Sequence, residues 1–135
     1  MKSKKETSPV RSRDKVLQSL YEMELGGSTA QEILKDKSLQ KRYPHFKDLL
    51  LGVTESVSNL DTVLQKFMDR DLSGLDPIER SVLRLAIYEM LYSELDKPII
   101  INESVRLTKK YGAVDGHKYV NAVLDKAFKA NFQKI

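Results

Sequence analysis

Between Asp76 and Tyr92 the chain reads DPIERSVLRLAIYEMLY, and this segment constrains the fold more than any other. Ile78, Val82, Leu83, Leu85, Ala86, Ile87 and Met90 do not fit one narrow helical stripe. A helix here is apolar around more than half its circumference and has to be packed on more than one side. Its start is defined by Asp76 as N-cap, Pro77 in the first turn and Glu79 near the positive helix end. The remaining elements must therefore surround it.

Those elements also read as helices. Residues 1–8 (MKSKKETS) lack apolar periodicity and are expected to form a flexible basic arm, leaving 9–135 as a single helical domain. Pro9 suits the first turn of a helix to about Leu25, with Val16, Leu17, Leu20 and Tyr21 as its stripe and Gly26-Gly27 as its stop. Ser28 and Thr29, each followed three residues later by Gln31 or Glu32, offer a capping box for a second helix through Leu34. Pro44 is read as the start of a third, carrying Phe46, Leu49, Leu50, Val53, Val57 and Leu60. A fourth follows near Asp61, with Val63, Leu64, Phe67 and Met68 inward, until Ser73-Gly74 breaks the pattern. After the fifth helix, Pro98 and Ile99–Ile101 lead into a sixth that Asn102 can cap. The isoleucines have strand propensity, but no second alternating run exists to pair with them. Gly112 fits a left-handed position after the sixth helix, and Asp115 can cap a seventh whose stripe is Val120, Val123, Leu124, Ala127 and Phe128. The expectation is an all-α bundle of seven helices.

Composition narrows the function classes. A length of 135 residues is one domain's worth. With no cysteine there is neither a disulfide framework nor a thiolate metal site. The basic, polar N-terminus does not read as a signal peptide, and no stretch approaches the roughly 20 apolar residues of a membrane helix. A soluble cytoplasmic protein without membrane association is expected. His45 and His117 each lack a second ligand at helical spacing, so no metal is expected, and no cofactor-binding loop follows a strand. No G-x-S-x-G elbow or suitably framed S-x-x-K pair is present, and Glu79, Glu89 and Glu103 read as caps or ion-pair partners. Catalysis is not expected.

Charge is distributed unevenly. Residues 1–15 carry a local +4 and residues 97–135 a local +5, around a middle segment of −5, within a net charge of +4. Basic ends around an acidic middle suit nucleic acid on one face and a basic protein on another, although a polar tail with scattered solvated charge would look similar. Lys4, Lys5, Arg11, Arg13 and Lys15 can neutralise phosphates. His117, Lys118 and Tyr119 start the last helix, where a cation, a ring and open N–H groups suit an anionic, stackable ligand. Tyr111 and Tyr119 flank the Gly112–Asp115 turn and are candidates for stacking bases; each could instead be a core residue with its hydroxyl at the surface. Asn121, one turn into an apolar stripe, reads as a buried hydrogen-bonding residue.

The runs IERSVLRLAIYEM (78–90), INESVRLTKKYGA (101–113) and HKYVNAVLDKA (117–127) resemble the NusB family of bacterial antitermination factors. The resemblance continues through VRSRDKVLQSLYEMEL (10–25) and HFKDLLLGV (45–53). It implies two helical subbundles packed together, with the fifth helix near their junction. It also implies binding of boxA-type single-stranded RNA together with NusE, a small-subunit ribosomal protein. Its further implications are a role within the RNA polymerase elongation complex and a setting in ribosomal RNA transcription. The family's arginine-rich arm matches Arg11 and Arg13, and its aromatic and basic positions near the last helix match Tyr111, Lys118 and Tyr119. Tyr21 and Glu79 match positions presented toward NusE and the adjoining RNA. Arg84 matches the arginine of the family's fifth-helix run and is assigned with them to the partner face, unless it is a buried, paired arginine. Two other readings stay open on the same residues. The fold also resembles an accessory domain of certain ribosomal RNA cytosine methyltransferases, although 135 residues leave no room for a cofactor-binding α/β domain. A homodimer that hides the basic surface is the other.

Overall fold

A computed structural model describes residues 8–130, all helices and connections with no strand among them. Lys4 and Lys5 lie outside the described residues. The helices are α1 (Ser8–Gly26), α2 (Ala30–Leu34), α3 (Lys37–Arg42), α4 (Phe46–Glu55), α5 (Val57–Gln65), α6 (Pro77–Tyr92), α7 (Lys97–Tyr111) and α8 (Gly116–Ala130), with a 3-10 turn at Leu72–Gly74. Among the described residues no helix is long and apolar enough to cross a membrane.

Contacts divide the chain into two compact units that meet in sequence at Thr54 and Glu55. In the first, α1 buries Val16, Leu17 and Leu20, and α4 buries Phe46, Leu50 and Val53. Gly27, at φ 77°, ends α1 in the left-handed region where a side chain would be strained. Thr29 accepts from the Glu32 amide at 3.1 Å while the Glu32 carboxylate accepts from the Thr29 amide at 2.9 Å, a complete capping box for α2.

In the second unit α6 packs against α5, α7 and α8, as its all-round apolarity requires. Eleven of its sixteen residues are buried, Leu83, Leu85 and Ile87 almost completely. Truncating such a leucine to alanine costs about 2–5 kcal/mol. Asp76 Oδ1 accepts from the Ile78 amide at 2.7 Å, and Pro77 occupies the first turn. α8 turns Val120, Val123, Leu124 and Ala127 inward, while Phe128 stays exposed.

Among the described residues eight α-helices replace the expected seven. Asp36 accepts from the Ser38 amide and starts α3 in a polar stretch, KSLQKR, whose single buried residue is Leu39. α4 begins at Phe46 after a turn that contains Pro44 and His45, the latter at φ 67°. The break between α4 and α5 falls at Ser56, ahead of the expected one near Asp61, because apolar spacing runs unbroken across it. α7 starts at Lys97 with Asp96 in the N-cap position, not at Asn102, which is exposed inside the helix.

Gly112 is not left-handed. Its backbone is extended at φ −98° and ψ −172°. Glycine is needed there for space: an added Cβ would lie 2.8 Å from the Thr108 carbonyl oxygen and 3.3 Å from Ile78 Cγ2. Gly112→Ala is therefore expected to destabilise by about 1–3 kcal/mol. Gly74→Ala, whose Cβ would meet nothing within 4 Å, should be neutral or slightly stabilising. Urea denaturation of the two variants checks the contrast.

Candidate nucleic-acid interface

The start of α8 forms one wall of an open depression of about 790 Å³ within the second unit. Arg70, Glu79, the 113–116 turn, Lys118, Tyr119 and Ala122 line it. Two helices approach each other closely at its wall. A Cβ on Gly116 would lie 2.6 Å from Glu79 Oε2 and 2.9 Å from Glu79 Cδ, so α8 begins against the Glu79 carboxylate because residue 116 has no side chain.

Tyr119 is half-buried and held from two sides by consecutive residues of the loop after α5. Its hydroxyl donates to Asp69 Oδ1 at 3.2 Å, and the Arg70 guanidinium sits over its ring, 4.2 Å from the centroid. That loop is itself fixed. Gln65 donates through Nε2 to the Arg70 carbonyl and accepts from the Leu72 amide, both at 3.0 Å. Arg80 Nη1 donates to the carbonyls of Leu72 at 3.3 Å and Leu75 at 2.8 Å. Burial and the Asp69 partner push the Tyr119 phenol above its ordinary value, with Arg70 opposing.

Of the basic and aromatic residues singled out in the sequence, the depression gathers Lys118 and Tyr119. Lys118 is exposed and 3.3 Å from Asp115, a surface pair of little energetic weight. His117 is adjacent, and its Nδ1 is buried with no hydrogen-bond partner among the described residues. Tyr111, at the end of α7, is half-buried with Lys110 Nζ 5.3 Å from its ring centroid; it does not line the depression. On α1, Arg11 is exposed and Lys15 half-buried, whereas Arg13 is 6% exposed and engaged within the fold. Asn121 is exposed, not buried as the stripe implied, because it falls off the inward face of α8.

The residues matched to a protein-partner face differ from one another. Tyr21 of the first unit is exposed. In the second unit Arg84 is held to Asp61 by two bonds, Nε–Oδ1 at 2.8 Å and Nη2–Oδ2 at 2.9 Å, which join α6 to α5. Glu79 is 7% exposed, and burial, reinforced by Asp76, raises its carboxyl above the ordinary value against the pull of Arg70.

Sequence spacing did not point to Asp69 and Arg70, because Asp69 meets Tyr119 from fifty residues away. The one hint was a charged run, DRD at 69–71, immediately before the Ser73-Gly74 break.

Among the described residues no group of three or more His, Asp or Glu is placed to hold a metal ion. Among the described residues, an all-helical fold thus sets an exposed cation beside an aromatic–guanidinium contact, groups able to meet a phosphate and a planar ring. The NusB family model matches residues 10–129. The transcription antitermination protein NusB of Nitrosomonas europaea is 43% identical over 121 residues, covering 85% of this chain and 72% of that protein. That of Mannheimia succiniciproducens is 37% identical over 131 residues and covers 91% of each chain. Among solved structures, T. maritima NusB superposes with a TM-score of 0.81 at 26% identity over 93% of each chain. NusB from a crystal structure of antitermination factors NusB and NusE in complex with dsRNA does so at 0.77 and 25% identity, over 91% of this chain and 97% of that one. The chain belongs to the NusB family, a family of non-enzymatic transcription antitermination factors.

The Glu79 shift sets a pH dependence. A carboxyl raised in the folded state stabilises the fold when protonated, and that contribution is lost as pH rises through its folded value. Glu79→Gln should therefore match the wild type in acid and become the more stable of the two toward neutral pH. Urea midpoints across pH check this; a wild type more stable at neutral pH would mean that the α8 N-terminus outweighs the burial penalty.

Proposed function

We propose that this protein binds boxA-type single-stranded RNA together with NusE and carries both into the RNA polymerase elongation complex. The resulting processive antitermination complex would act in ribosomal RNA transcription, in the cytoplasm. The observation that carries the reading is the depression at the start of α8, which sets an exposed Lys118 beside the Tyr119–Arg70 stack. A solved structure of NusB and NusE in complex with dsRNA supports NusE and RNA as the classes of partner.

On the RNA side, Lys118 and the ring–guanidinium pair supply a phosphate contact and a planar surface, the two requirements for holding an unpaired base. Tyr111 and His117, on either side of the α7–α8 connection, are further candidates for RNA contact. The arm cations Lys4 and Lys5, with Arg11 and Lys15, add sequence-independent, salt-sensitive affinity. Arg13, also assigned to the arm, is 6% exposed and engaged within the fold, which leaves it little access to a phosphate. On the NusE side, exposed Tyr21 offers an amphipathic ring, and the family positions on α6 are Glu79, at the wall of the depression, and Arg84, which would reach a partner as part of its pair with Asp61. An acidic middle segment suits a basic ribosomal protein. Two modest contacts on one protein then reinforce each other by linkage, so the complex forms where RNA and NusE coincide.

Replacing Lys118 and Tyr119 together by alanine should weaken RNA binding by about tenfold or more while leaving the helical circular dichroism signal in place. Unchanged affinity in the folded double variant would remove the α8 start from the RNA surface. Light scattering on the free wild type separates this reading from a homodimer that covers the basic residues: a monomer keeps the surface open.

A further inference from the structure

The RNA reading assigns a stacking role to this region, but the ring of Tyr119 already has an occupant. Arg70 Cζ lies over it at 4.2 Å, and Asp69 holds the hydroxyl at 3.2 Å. A base seeking that face of the ring would have to evict the guanidinium. Arg70, by contrast, is exposed and lines the depression beside Lys118. Among the described residues no carboxylate is in ion-pair contact with it.

We infer that Arg70 provides the base-stacking face of this site, and that Tyr119 is a positioning residue that backs it. A guanidinium is planar and has two faces. With Tyr119 on one side of the group, its remaining surface is available to the depression that Arg70 lines, and arginine planes accept nucleobases while their charge serves the adjoining phosphate. The root of the side chain is fixed as well. Gln65 bonds the Arg70 carbonyl and the Leu72 amide, and Arg80 bonds the Leu72 and Leu75 carbonyls, so the loop that carries Arg70 is ordered before any ligand arrives. Binding then spends little on ordering the contact. Asp69 contributes differently, since its bond to the Tyr119 hydroxyl anchors the far end of the ring against which the guanidinium lies.

This inference rests on the RNA reading, and the experiment separates the two. Arg70→Lys keeps the charge and removes the plane; Arg70→Ala removes both. Binding of a boxA-type RNA carrying 2-aminopurine would be followed by anisotropy and by fluorescence quenching at several salt concentrations, with circular dichroism melts as the folding check. Arg70→Lys should bind about fivefold or more weakly, with reduced quenching and an unchanged salt slope. Arg70→Ala should lose the same stacking contribution and, in addition, reduce the salt slope by about 1. An Arg70→Lys variant that binds and quenches as the wild type does would overturn the assignment of Arg70 while leaving the RNA reading intact. A wild type that binds no RNA would overturn both.

Discussion

The burial of α6 on several sides is the constraint from which the second unit follows. A helix apolar around most of its circumference requires neighbours on those faces, and α5, α7 and α8 supply them. Once α6 is enclosed, each polar group on it needs a specific solution. Arg84 is neutralised by a two-bond pair with Asp61, Arg80 is absorbed by the carbonyls of the 72–75 turn, and Glu79 is left at the wall of the depression. Glu79 in turn admits α8 at close range because residue 116 is glycine. The candidate RNA surface is thus a by-product of how α6 is packed.

The packing of α6 also gives the site mixed charge. A simple phosphate-binding surface would exclude carboxylates, yet Glu79 and Asp115 sit beside Lys118 and Arg70. Glu79 costs folding stability in its ionised form, since burial and Asp76 both disfavour that charge. Lys118 and Asp115 are both highly exposed, so their pairing leaves Lys118 available to a phosphate at little expense.

Local chemistry made much of the fold legible. Asp76-Pro77 and the Thr29/Glu32 capping box each mark a helix start through contacts within three residues, and both are present as read. Asp96-Lys97-Pro98 carries a similar signal, an acid with proline in the first turn, but three successive isoleucines obscured it. α3 was hidden because KSLQKR buries one residue and so has no stripe. The Ser56 break left apolar spacing undisturbed. Gly112 was recognised as necessary for the wrong reason: its role is close approach to Thr108 and Ile78, which only tertiary structure reveals. Of the site, Lys118 and Tyr119 were legible from their place at a helix start, and the family resemblance supplied the rest. Asp69, Arg70, Gln65 and Arg80 were not, because they act through a loop brought to α8 by the packing of α5 and α6.

The central claim is that RNA and NusE are recognised together. It is tested most directly by fluorescence-anisotropy titration of a boxA-type RNA and a scrambled control, at two salt concentrations, with and without NusE. Joint recognition gives a preference for the boxA-type RNA that sharpens when NusE is added and persists at the higher salt. Equal, salt-sensitive binding of both RNAs, unaffected by NusE, would contradict it and leave only a basic helical protein.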